Sequence, residues 1–295
     1  MLDALIVGAG PAGLTAALYL ARYRRRLLLV DAGESRARYI PVSHNTPGFA
    51  RGIGGTRLLE ELREQAARHG AEVEAATVCG LRRCGEGFEA RIGDRHVLTA
   101  NVVLATGVVD TLPEMPGVDA AIHRGLVRLC PVCDAYETDG RRVAVYGAPA
   151  QADRHARFLR SFSNQVSALS DAGSPFAAER RQALEADGIE AIDDLTGLAI
   201  DGDCVVATCA DGAQLRFDAL YPFLGAKARS GLATAIGAEC DDDGELRVDR
   251  HQQTSVSGLY AVGDIASGLN QISVAVGQAA LAATAIHNRL PRRPL

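Results

Sequence analysis

Short apolar runs that pass directly into glycine recur along this 295-residue chain. The first run, Leu2 to Val7, predicts a buried parallel strand, and Gly8-Ala9-Gly10-Pro11-Ala12-Gly13 follows it and opens an apolar helix. A second apolar run, Leu27 to Val30, ends in Asp31. The order of strand, glycine turn, helix, strand and acid predicts a dinucleotide-binding unit.

Each glycine of this turn has a steric reason. Gly8 permits the tight turn, Gly10 lets the backbone approach a pyrophosphate, and Gly13 allows close packing of the helix on the strand. The phosphates are expected at the N-terminus of the helix. Asp31 is placed to accept hydrogen bonds from ribose hydroxyls.

The pattern changes after this unit. Residues 35–55 form a long irregular loop, which we expect to lie along a flavin ring, with His44 either touching the ring or substrate or serving as an ordinary surface histidine. Residues 56–69 predict an amphipathic helix. Alternating stretches between residues 71 and 103 predict a small antiparallel layer, which ends in an apolar strand with Thr106 and Gly107 at its tip.

The nucleotide pattern then repeats. Residues 142–146 predict a strand, the turn begins at Gly147, a helix follows to Phe162, and a second strand ends at Asp171. Pro149 stands where the second glycine belongs, so a backbone N–H is missing and a ring fills the space that a pyrophosphate needs. Asp171 would repel a 2′-phosphate. Binding of NAD(P)H is therefore doubtful here, and NADPH is disfavoured more than NADH.

The last third completes the organisation. Residues 183–224 predict strands and turns, the polar stretch 241–244 predicts a linker, and a strand over 258–262 leads to Gly263 and Asp264 before a long helix over 271–290. The predicted fold class is α/β, with two Rossmann-like nucleotide-binding domains, the second inserted into the first. The FAD-binding domain is expected over 1–115 and 245–295, and the NAD(P)-binding-like domain over 116–244.

Between the two units lies Cys130-Pro131-Val132-Cys133-Asp134. Such a pair closes a disulfide without backbone movement, a helix N-terminus would lower the pKa of the first thiol, and Asp134 could deliver or accept the proton. Three alternatives are a zinc site, a thioredoxin-type domain and two unreactive buried thiols. The other cysteines form no second ligand pair, so no metal is expected, and a complete dinucleotide fingerprint precedes the motif.

Composition narrows the class further. With 47% hydrophobic residues and a net charge of −5, the chain is expected to be soluble and globular, with no nucleic-acid partner. The basic cluster at 22–26 is interpreted as a solvated helix end. The apolar N-terminus is too short for a signal peptide or membrane span, so we expect a cytoplasmic protein with no membrane contact.

The chain resembles the low-molecular-weight thioredoxin reductases among the pyridine-nucleotide-disulfide oxidoreductases. The resemblance is carried by the first glycine turn, the Cys130–Asp134 motif, Asn45-x-Pro47-Gly48, Ala105-Thr106-Gly107, Gly263-Asp264 and Gln271. The resemblance covers nearly the whole chain and implies FAD, a homodimer, Cys133 facing the flavin, Cys130 exchanging with substrate, Asp134 as acid-base, and rotation of the inserted domain. The arginines that hold a 2′-phosphate in NADPH-dependent members are absent. The candidate FAD-binding residues are Gly8, Gly10, Pro11, Ala12, Gly13, Asp31, Asn45, Thr106, Gly107, Gly263, Asp264, Gln271 and Ile272.

The leading hypothesis is an FAD-dependent thiol-disulfide oxidoreductase that works without NADPH. It is either a dithiol oxidase that uses oxygen or a reductase fed by another donor, and its partner is a thioredoxin-like protein or a small-molecule dithiol or disulfide. One alternative is a conventional NAD(P)H-dependent thioredoxin reductase. Another is a flavin-binding redox sensor or structural dimer without turnover, which the complete exchange motif disfavours.

Overall fold

The computed structural model describes residues 1–171, 173–266 and 268–292. The strands are β1 (Leu2–Val7), β2 (Leu27–Asp31), β3 (Val73–Ala75), β4 (Val78–Cys84), β5 (Gly87–Ile92), β6 (Arg95–Leu104), β7 (Val108–Asp110), β8 (Arg142–Gly147), β9 (Gln165–Asp171), β10 (Glu190–Asp201), β11 (Cys204–Cys209), β12 (Gln214–Phe217), β13 (Ala219–Phe223), β14 (Ala226–Ala228) and β15 (Leu259–Ala261). The helices are α1 (Pro11–Arg22), α2 (Gly55–Ala67), α3 (Val118–His123), α4 (Pro131–Asp134), α5 (Pro149–Leu159), α6 (Ala178–Ala186), α7 (Gly231–Thr234) and α8 (Ile272–Arg289).

The first sheet contains a parallel part and an antiparallel part that share one long strand. Strands β3, β2, β1 and β6 are parallel neighbours in that order, and β15 pairs with the carboxyl half of β6. The amino half of β6 pairs antiparallel with β5, which pairs with β4. The predicted parallel strands and the predicted antiparallel layer are both confirmed.

Helices α1 and α8 pack together on one face of this sheet. Their contact is built from small residues, with Ala16, Ala17, Ala279 and Ala283 fully buried. Alanine side chains let the two helices approach closely. The starts of both helices lie near the end of β15, because a methyl group on Gly263 would meet Ala12 and Ala275. The long C-terminal helix was predicted to within one residue at each end.

The second sheet has the order β12, β11, β10, β9, β8, β13. Strands β13, β8, β9 and the first part of β10 are parallel, whereas β11 and β12 extend the sheet in antiparallel fashion. Helices α5 and α6 cover one face, and α3 packs on the other. The prediction of strands and turns from residue 183 was wrong at its start, because α6 continues to Ala186 and buries Leu184 in this core.

Two short segments connect the sheets. β7 follows the last residues of β6 in the first sheet and pairs antiparallel with β14, which follows β13 of the second sheet. Beyond β14, Ala233 and Ala238 are buried with residues of the first sheet. The boundaries at 115 and 245 stay a prediction. We propose that the chain crosses at β7 and β14, because the apolar residues between β14 and residue 245 pack on the first sheet.

The basic cluster at 22–26 is partly buried, which corrects the interpretation of a solvated helix end. Arg25 is only 7% exposed. Its guanidinium donates to the carbonyl oxygens of His287 and Pro291, each at 2.9 Å, and its Nε donates to His287 Nδ1 at 3.1 Å. Carbonyl groups at the end of a helix lack intrahelical partners, so Arg25 caps the C-terminus of α8.

No helix in the described ranges is long and apolar enough to cross a membrane.

Candidate active site

A cavity of about 510 Å³ runs from the first glycine turn to the cysteine pair. Of the candidate FAD-binding residues, Gly13 is the one that does not line it. A methyl group on Gly13 would overlap with the carbonyl oxygen of Gly8, so this glycine serves the packing of α1. The candidate residues that do line it are Gly8, Gly10, Pro11, Ala12, Asp31, Asn45, Thr106, Gly107, Gly263, Asp264, Gln271 and Ile272.

The glycine turn has the geometry that a pyrophosphate needs. Gly8 has a φ of +102°, and a side chain there would overlap with the Ala105 carbonyl. Gly10 is the N-cap of α1, and Pro11 is its first residue. Asp31 Oδ1 accepts a hydrogen bond from the N–H of Ala9 at 2.9 Å. The turn, the helix N-terminus and the carboxylate thus fit the phosphates and ribose of FAD.

The wall opposite the turn contains a basic residue that the sequence analysis missed. Arg36 lies on a 3₁₀ helix within the irregular loop and donates to Asp110 at 2.6 and 2.9 Å. Its Nη1 is 3.5 Å from Asp264 Oδ2. Burial raises the pKa of Asp264, and the charge of Arg36 opposes that rise. No local pattern marks Arg36, because its partners are distant in the chain.

Cys130 and Cys133 form a disulfide with their Cα atoms 5.3 Å apart. Both residues are half-buried and line the cavity. Cys130 is the N-cap of α4, with Pro131 at its first position, so the first thiol does lie at a helix N-terminus. This helix has only four residues, however, so its dipole is small. The disulfide and its exposure are inconsistent with two unreactive buried thiols.

Asp134 is held from two sides. The Tyr221 hydroxyl donates to Asp134 Oδ1 at 2.8 Å, and Arg128 Nη1 lies 3.5 Å from Oδ2 while donating to the Asp134 carbonyl at 3.0 Å. Burial raises the pKa of Asp134, whereas Arg128 and Tyr221 oppose the rise. An acid with a raised pKa exchanges protons more readily near neutral pH. Tyr221 was missed because only the pairing of β13 with β8 brings it here.

Two amide side chains connect the loop, α8 and the dithiol. Asn45 Nδ2 donates to Gln271 Oε1 at 2.9 Å, and Gln271 Nε2 lies 3.3 Å from Cys130 Sγ and 3.4 Å from Cys133 Sγ. His44 does not line the cavity; its Nε2 is 4.0 Å from Glu137 Oε1. The irregular loop therefore reaches the dithiol through Gln271, and Asn45 Nδ2 also donates to the carbonyl of Val132 between the two cysteines.

The second glycine turn differs from the first in its contacts. Pro149 is the first residue of α5, with Ala148 as N-cap. Asp171 Oδ1 accepts a hydrogen bond from the Tyr146 hydroxyl, whereas Asp31 in the first unit binds the backbone of its own turn. The pKa of Tyr146 is raised far above its ordinary value, chiefly because the side chain is partly buried and secondly because of this hydrogen bond.

Within the described part of the chain, no group of three or more His, Cys, Asp or Glu side chains could hold a metal ion.

Comparison with known proteins agrees with this geometry. Residues 2–279 match the pyridine nucleotide-disulphide oxidoreductase family. The chain belongs to this family. It is 29% identical to the thioredoxin reductase of Mycolicibacterium smegmatis over 276 residues, which cover 89% of this chain and 88% of the relative. It is 30% identical to the bifunctional thioredoxin reductase/thioredoxin of Mycobacterium leprae, of which it spans 60% of the length.

Two solved structures extend the likeness to nearly the whole chain. HlmI has a TM-score of 0.88 at 31% identity, covering 97% of this chain and 92% of its own. Thioredoxin reductase from Streptococcus pyogenes has a TM-score of 0.89 at 25% identity, covering 98% and 97%. The chain is thus an FAD-dependent disulfide oxidoreductase of thioredoxin-reductase type, with the two Rossmann-like domains of that class.

Proposed function

We propose that this enzyme exchanges electrons between the Cys130–Cys133 pair and FAD without NADPH. The observation that carries the proposal is the second glycine turn. Pro149 stands at the motif position that Gly10 holds in the first unit, so the second turn lacks that N–H and carries a ring in its place. A proline as the first helical residue is not itself the obstacle, because α1 also begins with one, Pro11. In the first unit the corresponding turn presents Gly10, whose N–H remains.

The acid of the second unit supports the same proposal. Asp171 is the last residue of β9 and accepts a hydrogen bond from Tyr146. It stands where binding of a 2′-phosphate would need an arginine. Arg180, the next basic residue after Asp171, is 3.2 Å from Asp153 and 3.4 Å from the Pro149 carbonyl. Its charge is therefore compensated from within α5. A 2′-phosphate would have to displace these contacts.

In the oxidative direction, a substrate thiolate attacks Cys130 Sγ and forms a mixed disulfide, the Cys130–Cys133 bond breaks, and Cys133 leaves as a thiolate. The proton of the substrate thiol moves to Asp134. The second substrate thiol then attacks the mixed disulfide and its proton passes to the departing Cys130 sulfur, which releases the oxidised substrate and leaves Cys130 as a thiol. FAD, when bound, supplies the two-electron acceptor that restores the disulfide. Oxygen is the final electron acceptor in the oxidative direction. In the reductive direction, the electrons come from a donor other than NADPH.

The residues that would hold FAD are those of the first turn, Asp31 and the ends of β15 and α8. The substrate is a thioredoxin-like protein or a small-molecule dithiol or disulfide, and the enzyme works as a homodimer in the cytoplasm. The five other cysteines are free thiols, in keeping with a reducing compartment.

A conventional NAD(P)H-dependent thioredoxin reductase is the second candidate. The names of the M. smegmatis and S. pyogenes relatives favour it. Under this alternative, the backbone near Pro149 adjusts on binding, and NADH is preferred because Asp171 accepts ribose hydroxyls.

Anaerobic titration of the purified protein with NADPH, NADH and dithiothreitol, followed by flavin absorbance, separates the two. Bleaching by the dithiol alone is the expected result. Rapid bleaching by either nicotinamide would overturn the proposal. A Pro149→Gly variant is the matched test of cause: a gain of bleaching by NADH in that variant would assign the block to the proline ring and the missing N–H.

A further inference from the structure

Gln271 contacts the sulfur atoms of the dithiol from the opposite domain. It is the N-cap of α8 in the first domain, whereas Cys130 and Cys133 belong to the inserted one. Its Nε2 lies 3.3 and 3.4 Å from the two Sγ atoms, which is within hydrogen-bond distance for a sulfur acceptor. The family resemblance placed this glutamine at the flavin; the contacts place its Nε2 beside the reacting sulfur atoms.

The direction of the Gln271 amide is fixed by groups that can only accept. Gln271 Nε2 donates to the Asn270 carbonyl at 3.0 Å, and a backbone carbonyl offers no hydrogen. Asn45 Nδ2 donates to the Val132 carbonyl at 3.3 Å, so its Nδ2 also faces Gln271 Oε1. The Ser43 hydroxyl donates to Asn45 Oδ1 at 3.1 Å. Reversing either amide would set acceptor against acceptor, so Nε2 is the atom nearer to both sulfurs, and Oε1 lies 3.8 Å from Cys133 Sγ.

Other sources of thiolate stabilisation are weak here. The helix that begins at Cys130 has one turn, and the cation Arg128 is engaged by Asp134 and by the Gly125 carbonyl at 3.0 Å. Carboxylates beside the dithiol disfavour a second negative charge. The titratable and charged groups that face the dithiol and its acid are His44 on the loop, Arg128 before α4, Asp134 on α4, Glu137 after it and Tyr221 on β13.

We propose that Gln271 is a catalytic residue whose carboxamide N–H stabilises the thiolate that appears when the Cys130–Cys133 bond opens, and that Asn45 is the positioning residue that aims it. This rests on the dithiol exchange described above. When a substrate thiolate attacks Cys130 Sγ, the electron pair of the broken bond goes to Cys133 Sγ, and the Gln271 N–H is already in place. A hydrogen bond to an anion is stronger than one to a neutral sulfur, so the contact favours the open state.

The test is the pH profile of thiolate alkylation. Holoenzyme is reduced anaerobically with dithiothreitol, freed of reductant and treated with iodoacetamide over a range of pH, and peptide mass spectrometry reports Cys130 and Cys133 separately. In Gln271→Leu, alkylation below neutral pH is expected to fall about tenfold, the size of one hydrogen bond to a charged group. Gln271→Glu is expected to fall further, because a carboxylate repels a thiolate.

Two further variants separate orientation from general damage. In Asn45→Ala, alkylation is expected to fall about threefold, since the amide remains but is no longer aimed. Gln151→Leu is the matched control: this glutamine is exposed on α5 and does not line the cavity that contains the dithiol, so its profile should equal that of the wild type. The FAD content of each variant is measured, and wild-type protein stripped of FAD is the reference for any variant that loses it.

A wild-type alkylation profile in Gln271→Leu would overturn the inference. The assay uses neither nicotinamide nor oxygen, so its outcome is independent of the electron donor and acceptor. If NADPH bleaches the flavin but Gln271→Leu shifts the profile, the proposed function fails and this inference stands.

Discussion

Replacing Tyr221 by phenylalanine removes a hydroxyl that binds the acid of the site and also interacts with Arg128. Tyr221 is 1% exposed on β13, and its hydroxyl donates to Asp134 Oδ1 at 2.8 Å. A hydrogen bond to a charged group contributes about 1.5–3 kcal/mol, so its loss shifts the ionisation of Asp134 towards the neutral acid by about 10- to 100-fold. Arg128 remains 3.5 Å away and still favours the carboxylate, which places the effect at the lower end.

In dithiol oxidation the ionised form of Asp134 takes up the substrate proton, so the rate rises with pH through the pKa of this acid. Because the pKa of Asp134 is already raised by burial, Tyr221→Phe moves the acid limb of the profile to still higher pH. Stopped-flow bleaching of the flavin by dithiothreitol, measured against pH, follows that limb. At a pH below it, the rate is expected to fall about tenfold.

The control for this experiment is the same chemical change nearby. Tyr136 is 81% exposed just after α4, so Tyr136→Phe should keep the wild-type limb. Asp134→Asn should abolish the limb, which identifies the titrating group. A Tyr221→Phe variant that keeps both the wild-type limb and the wild-type melting temperature would show that this hydrogen bond does not set the ionisation of Asp134.

Three further predictions concern stability. Arg25→Ala should lower the free energy of unfolding in urea by about 3 kcal/mol, because it leaves the C-terminal carbonyls of α8 without their donor, whereas Arg26→Ala in the same cluster should change it by less than about 0.5 kcal/mol. Burial and then neighbouring carboxylates raise the pKa of Glu245 to about 7. The folded protein therefore holds a proton that the unfolded chain releases, and stability falls as pH rises from about 4.5 to about 7. Glu245→Gln should raise the free energy of unfolding in urea at pH above this window, by no more than about 1 kcal/mol since the site is partly exposed, and should leave it unchanged below the window. Gly13→Ala should lower the melting temperature and FAD content, while Gly277→Ala, where a methyl meets nothing within 4 Å, should preserve both; equal behaviour of the two variants would contradict the packing role.

Some features of the site could be predicted because their cause is local. The first glycine turn needs its three glycines within six residues, so the sequence marks the place where a pyrophosphate can approach. The dithiol and its acid lie within Cys130–Asp134, and the helix N-terminus considered for the first thiol is present, since Cys130 is the N-cap of α4. The impairment of the second turn, argued from Pro149 and Asp171, stays a prediction, and the place of Pro149 as the first residue of α5 emerged only in the fold.

Other features depend on residues that are far apart in the chain. Arg25 looked like any exposed arginine of a basic cluster, and its burial follows from the end of α8 arriving more than 260 positions later. The partner of Asp134, Tyr221, is on a strand that the sequence analysis treated only as part of a sheet.

By itself, the sequence determined the two Rossmann-like units, the cofactor turn and the redox pair, because each is written in periodicity and spacing over a few tens of residues. The tertiary structure decided which groups surround the dithiol. Gln271 is 138 positions from Cys133 and 226 from Asn45, and only the packing of the loop, α8 and α4 brings their side chains together. Hydrogen bonds extend about 3 Å, so their partners are set by packing, on which local sequence pattern has no bearing.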